Sequence, residues 1–177
     1  MPTPTYVAIA KTVLTGSQAT VTFSGIVNTY TDLVLLVSSR DDYASGRDNI
    51  KLTINGTSAN YTQRIIYAFG TTAGSVSASG GGTGTYFDYL YNTAASGTSN
   101  TFGSSEIYIP NYLSSTNKPI STSSVAENNA TDSTTMVTAG ALLWSNTSAI
   151  TSITLAPALG TNFVSGSRFD LYGIKNS

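Results

Sequence analysis

The chain has 177 residues and a formal net charge of −1, with charged side chains at 10% of positions and no His or Cys. The two zeros exclude a Ser-His-Asp triad, imidazole and thiolate metal ligands, and a disulfide framework. Eight basic residues scattered from Lys11 to Lys175 do not form the basic stripe of a nucleic-acid binder.

In chain order, nearly every element reads as a strand. Tyr6 to Val13 comes first. Ala19, Val21 and Phe23 then alternate with Thr20 and Thr22, apolar on one face and hydroxylated on the other. Asp32 to Ser38 carries Leu33-Val34-Leu35-Leu36-Val37 without alternation, which predicts a central strand covered on both sides. Ile50, Leu52 and Ile54 alternate with Lys51 and Thr53, and Asn55-Gly56 is the dipeptide favoured in a type I′ hairpin turn. Tyr61 to Ala68 follows. Residues 71–84, a Gly/Ser/Thr tract with Val76 inside it, are predicted as a flexible loop.

Thr85 to Tyr91 and then Ile107 to Ile109 resume the strands. Ser114 to Thr135 is polar and predicts a long connection with a short strand near Pro119. Met136 to Trp144, Ile153 to Leu155 and Phe169 to Leu171 complete a set of about ten strands separated by turn signals. Glu occurs only at positions 106 and 127, while 28 Thr suit pleated, half-exposed surfaces. The fold class is therefore all-β: one antiparallel β-sandwich domain over residues 1–177, of jelly-roll type, with residues 1–5 as an extended N-terminal arm. That start has no basic n-region or apolar h-region, which predicts a protein that is not secreted. The longest apolar run, five residues, is far short of a membrane span, so no membrane partner is expected. The sequons at Asn55, Asn60, Asn129 and Asn146 are what chance gives in so Asn/Ser/Thr-rich a chain.

Few residues offer chemistry. Asp41, Asp42 and Asp48 with Asn49 could supply oxygens to Ca²⁺, but their spacing is not that of an EF-hand and Arg40 and Arg47 stand among them. A solvated loop with Arg–Asp pairs is the expectation. Asp88, Glu106, Glu127, Asp132 and Asp170 could in principle pair for glycoside hydrolysis, yet nothing in the sequence brings two of them together. Gly80-Gly81-Gly82-Thr83-Gly84 lacks the ending of a phosphate-binding loop and the helix that would follow it. No catalytic, cofactor-binding or metal-binding residue is assigned. The one candidate contact surface is aromatic: period two places Phe87, Tyr89 and Tyr91 on one face, with Tyr86 on the other.

Five segments carry a resemblance. Phe23-Ser24-Gly25-Ile26 leading to Tyr30-Thr31-Asp32-Leu33-Val34-Leu35, Ile50 to Tyr61, Ile107-Tyr108-Ile109-Pro110-Asn111-Tyr112, Ala149 to Leu155, and Gly166 to Ile174 occur in this order. Together they resemble small β-sandwich virion structural proteins of tailed bacteriophages, of the kind found in phages of cyanobacteria and marine bacteria. The resemblance implies a structural part and not an enzyme, and assigns no ligand-binding residue. It does not fix the place on the particle. The sequence has no coiled-coil shaft or collagen-like repeat of a fibre, so a capsid cement (decoration) protein on the virion exterior is expected, with the major capsid protein or other virion proteins as partners and a homotrimer suited to local three-fold positions. No nucleic-acid partner is implied. The alternative is a tail or baseplate appendage binding host surface glycans through Tyr86, Phe87, Tyr89 and Tyr91.

Overall fold

The structure, a computed structural model, describes residues 5–128 and 135–175. The expected arm at residues 1–5, apart from Thr5, and the candidate residues Asn129 and Asp132 lie outside that set. Twelve strands are formed among the described residues: β1 (Tyr6–Val13), β2 (Val21–Ser24), β3 (Asp32–Ser39), β4 (Arg47–Ile54), β5 (Tyr61–Phe69), β6 (Thr72–Ser79), β7 (Phe87–Thr93), β8 (Gly103–Ile109), β9 (Lys118–Ala126), β10 (Met136–Trp144), β11 (Ser152–Pro157) and β12 (Arg168–Ile174). They make an eight-stranded sheet in the order β1-β12-β3-β8-β9-β10-β5-β6 and a four-stranded sheet in the order β2-β11-β4-β7. Every ladder is antiparallel. The antiparallel sandwich expected from the sequence is present. The twelve strands, against the ten or so expected, divide eight and four between the two sheets.

Alternation builds the core. Residues 48, 50, 52 and 54 of β4 are buried while their neighbours are partly exposed, so one face of the small sheet is dry. Leu33 and Leu35 of β3, Ile107 and Ile109 of β8, and Phe169 and Leu171 of β12 meet that face across the sandwich. β3 is central as expected, but it is covered on both faces only from Asp32 to Leu35; Leu36 is 39% exposed. Tyr61, Phe87 and Trp144 form a buried aromatic stack, with ring centroids 4.8 Å and 6.5 Å apart.

Two expectations are corrected here. The 71–84 tract is not a loop: most of it is β6, an edge strand in unbroken register with β5, followed by a 3₁₀ turn at Gly80–Gly82. An edge strand with one face in solvent needs little apolar sequence, and its β5 neighbour supplies the hydrogen bonds. Residues 118–126, expected as a short strand in a long connection, form the nine-residue β9 between β8 and β10. Lys118 at its start is fully buried, its ammonium donating to the carbonyls of Ser114 and Thr116 at 2.7 and 2.6 Å. That burial lowers its pKa.

Asn55-Gly56 forms the expected turn, with φ of 52° and 63° and Thr57 donating back to Ile54 at 3.0 Å. It does not close a hairpin, however, because β4 and β5 belong to different sheets. The Tyr61 hydroxyl accepts from the Ile54 amide at 2.8 Å and so fastens the crossing. The Asn55 carboxamide reaches the other way: its oxygen accepts from the amides of Thr151 and Ser152, and its nitrogen donates to Ala149. Asp32 similarly accepts from Asn111 N and the Tyr108 hydroxyl at 2.8 and 3.0 Å. Motif residues far apart in the chain thus hold one another in place.

At Gly173 in β12 the ring of Tyr30 lies directly on the backbone, where a Cβ would occupy the ring's own volume. Gly173→Ala should therefore cost about 1–3 kcal/mol through overpacking, read as a fall in melting temperature. A wild-type melting temperature would show that Tyr30 moves aside freely.

Candidate functional site

β7 carries the aromatic segment, and a bulge decides what it presents. Ile50 opposes Leu90 and Leu52 opposes Phe87, so two residues of β7, Asp88 and Tyr89, face one of β4. Tyr89 takes φ of +63°. An extra residue shifts the period by one. Phe87 and Leu90 therefore both enter the main core, while Tyr91 packs in a separate cluster with Ala126 and Met136. The expected common face of Phe87, Tyr89 and Tyr91 does not exist.

The bulge is held by hydroxyls from the large sheet. Ser124 accepts from the Tyr91 amide at 2.9 Å, and Thr138 donates to the Tyr89 carbonyl at 3.0 Å. Gln63 of β5 donates to the Asp88 carboxylate and accepts from its amide. Phe87 is 0% and Tyr91 8% exposed, and burial pushes the Tyr91 phenol up to about 12. Tyr86 and Tyr89 are half-buried. The Lys51 ammonium lies 5.3 Å from the Tyr86 ring centroid, and the ring also covers Gly81, whose φ of +62° and missing Cβ allow the approach. The segment's main work is to pack the two sheets together.

The 38–49 loop also differs from expectation. Asp41 and Asp48 are buried, at 0% and 3% exposure. Arg168 pairs with Asp170. Arg40 donates to four backbone carbonyls between Ala95 and Thr101, and the Arg47 guanidinium lies over the rings of Phe69 and Tyr91. Desolvation, with the Asp48 carboxyl beside it, raises Asp41 to about 7. Asp42 stays at the surface, lowered by donation from the Asn162 and Thr161 amides. The Asn49 amide donates to Asp48 Oδ1 at 2.7 Å, while its side chain bonds the Tyr91 hydroxyl.

Among the described residues, Glu106 and Asp170 of the carboxylates considered for hydrolysis line one groove, and Asp88 does not join them. Asp88 is bound to Gln63, and Asp170, as expected for its strand, is paired with Arg168. Glu106 lies across Leu36 from Asp170 on the outer face of the large sheet.

The outer face of the eight-stranded sheet is an open surface that the sequence reading does not single out. Its two halves differ. Over β1, β12, β3 and β8 it carries Lys11, Arg168, Asp170 and Glu106. Over β9, β10, β5 and β6 the outward residues are Ser, Ala, Thr and branched aliphatics, with Arg64 the single charge. Ile66, Val137 and Val125 are 64%, 49% and 42% exposed. They stand close together, since Val125 opposes Val137 and Ile66 opposes Ala139 on the next strands. The alternation in β10 signals this face, but only strand order shows that four such strands lie side by side.

No helix among the described residues is long and apolar enough to cross a membrane. Comparison with protein-family models, curated proteins and solved structures found no match to the chain.

Proposed function

We propose that the protein is a non-enzymatic structural component of a bacteriophage virion, a capsid cement protein that seats the outer face of its large sheet on neighbouring shell subunits. The observation that carries this reading is the uncharged half of that face. Exposed Ile66, Val137 and Val125 stand within a field of Ser, Ala and Thr. Clustered exposed aliphatics mark protein contacts, and interface cores are poor in charge because ion pairs are costly to desolvate. The five-segment resemblance to virion β-sandwich proteins points the same way. The major capsid protein is the partner, further copies assemble as a trimer at local three-fold positions, and the location is the capsid exterior. The glycan-binding alternative has less to stand on, because Phe87 and Tyr91 are buried.

The paired substitutions Ile66→Glu and Val137→Lys test the reading. They should weaken binding to empty shells at least about tenfold, the equivalent of 1.4 kcal/mol, while the melting temperature changes by less than about 2 °C, as for surface changes. Particles lacking the protein should release DNA at a lower temperature. An unchanged release temperature would rule out the cement role.

A further inference from the structure

We propose that the free edge of β6 pairs with a second copy of this chain, joining two eight-stranded sheets through an antiparallel β6–β6 contact about a twofold axis. The contact uses the rim of the large sheet, not its outer face, and stands apart from the virion reading. Where both hold, it links copies that belong to neighbouring three-fold groups.

The two sheets have four ends, β1 and β6 on the large one and β2 and β7 on the small one. A free strand edge offers a row of backbone N–H and C=O groups to other chains, and folds ordinarily blunt it with charge, Pro, a bulge, shortness or a cover. Three of the ends are blunted. β1 breaks register between Ala8 and Ala10 and carries Lys11. β2 is four residues long. β7 has its bulge, and its Tyr91 amide and Tyr89 carbonyl are taken by Ser124 and Thr138.

β6 has none of these devices. It runs for eight residues in unbroken register with β5, from Thr72 opposite Phe69 to Ser79 opposite Thr62. It contains no charged residue and no Pro. In an antiparallel ladder alternate residues exchange both bonds with one neighbour, so every second residue of β6 turns its N–H and C=O away from β5. Among the described residues no strand lies on that side. The flanks are open too: Ser75, Ser77 and Ser79 are exposed on one face, and Gly74, Val76 and Ala78 are only half-buried on the other.

The composition selects the occupant. Across a twofold axis a strand meets its own sequence, so a charge near the axis would face its like. β6 places only Ser, Thr, Ala, Gly and one Val there. An axis at Val76, near the middle of the strand, sets the two valines side by side and Ser75 against Ser77 of the other copy, pairs that suit neighbouring strands. Pairing along the strand supplies about six to eight backbone hydrogen bonds, within the number a specific interface carries. It uses up β6 in both copies and leaves blunted β1 at each far end, so the contact closes at two.

Sedimentation of the full chain over a concentration series, with hydrogen exchange followed at its two extremes, is the test. The wild type should form a two-chain species, and amides within residues 72–79 should exchange more slowly as it forms. Val76 opposes buried Ile65, on the face away from Ile66, so changing it leaves the outer face intact. Val76→Lys and Val76→Glu should each move dissociation to several-fold higher concentration, because like charges then meet at the axis. Mixed in equal amounts, the two variants should pair again. Their melting temperatures should stay within about 2 °C of the wild type, as for surface changes; if either melts lower, the exchange result on the wild type decides. A wild type that stays single-chain throughout, or exchange at residues 72–79 that is independent of concentration, would overturn the proposal. So would a two-chain species that folded Val76→Lys leaves unchanged, or open-ended growth in place of a closed pair.

Discussion

Alanine at position 144 is expected to lower the unfolding free energy by about 3–5 kcal/mol, the range for large-to-Ala changes in a packed core. Trp144 is fully buried and its ring stacks on Tyr61, which in turn meets Phe87 edge-on. Its neighbours cannot fill the space. Tyr61 is fixed by its hydroxyl at the Ile54 turn, and Lys118, opposite Trp144 on β9, is held by carbonyls. Trp144→Phe should cost at least about 2 kcal/mol less than alanine, because it keeps most of the ring contact and removes an indole N–H that has no acceptor among the described residues. Urea unfolding of the three proteins measures both differences. Equal losses for Phe and Ala would show that the indole nitrogen is satisfied and that the ring face contributes little.

The second large effect depends on pH. Stability should fall as pH rises from about 4 to about 7 and then level off. The sign follows from Asp41, whose folded pKa is raised from 3.8 to about 7. Between those values the native state binds more protons than the unfolded chain, so raising the pH favours unfolding. The total change is on the order of 2–4 kcal/mol, because each tenfold gain in proton affinity is worth about 1.36 kcal/mol. Asp48 and Asp42 are the carboxylates beside it, and Arg40 and Arg47 the bases of the same loop. With no His and no Cys, no other side-chain type ordinarily titrates between pH 5 and 8. Asp41→Asn should flatten the profile and leave the variant more stable than the wild type at pH 8. Urea unfolding at pH 5, 6, 7 and 8 decides it: a flat wild-type profile, or an equally steep one for Asp41→Asn, would contradict the origin assigned here.

What is legible in the sequence is whatever period two encodes directly. The alternation of Ile50, Leu52 and Ile54 marks the buried face of β4, and the apolar run from Leu33 to Val37 marks a central strand. β6 is hidden because an edge strand of Ser, Ala, Thr and Gly has no apolar face to advertise. The bulge at Tyr89 is hidden because a non-Gly residue at φ +63° carries no signal of its own; it is imposed by Ser124 and Thr138 from other strands. For the same reason period two puts Phe87 and Tyr91 on one face. The buried Asp41 and Asp48 are half visible: the acids stand out in the sequence, but Asn92, whose amide donates to Asp41, lies far along the chain and is brought in by the β4–β7 ladder.

The strand order also governs when the fold can form. β12 lies between β1 and β3 in one sheet, and β11 lies between β2 and β4 in the other. Strands made early thus flank slots that only the last-made strands fill. During synthesis β1 and β2 have no ladder partner until β12 and β11 emerge, and their pairing closes very long loops. Such topology slows folding and leaves apolar strand edges open in the interval. Loss of β11 and β12 would remove an interior member from each sheet and leave β1 and β2 without a ladder partner.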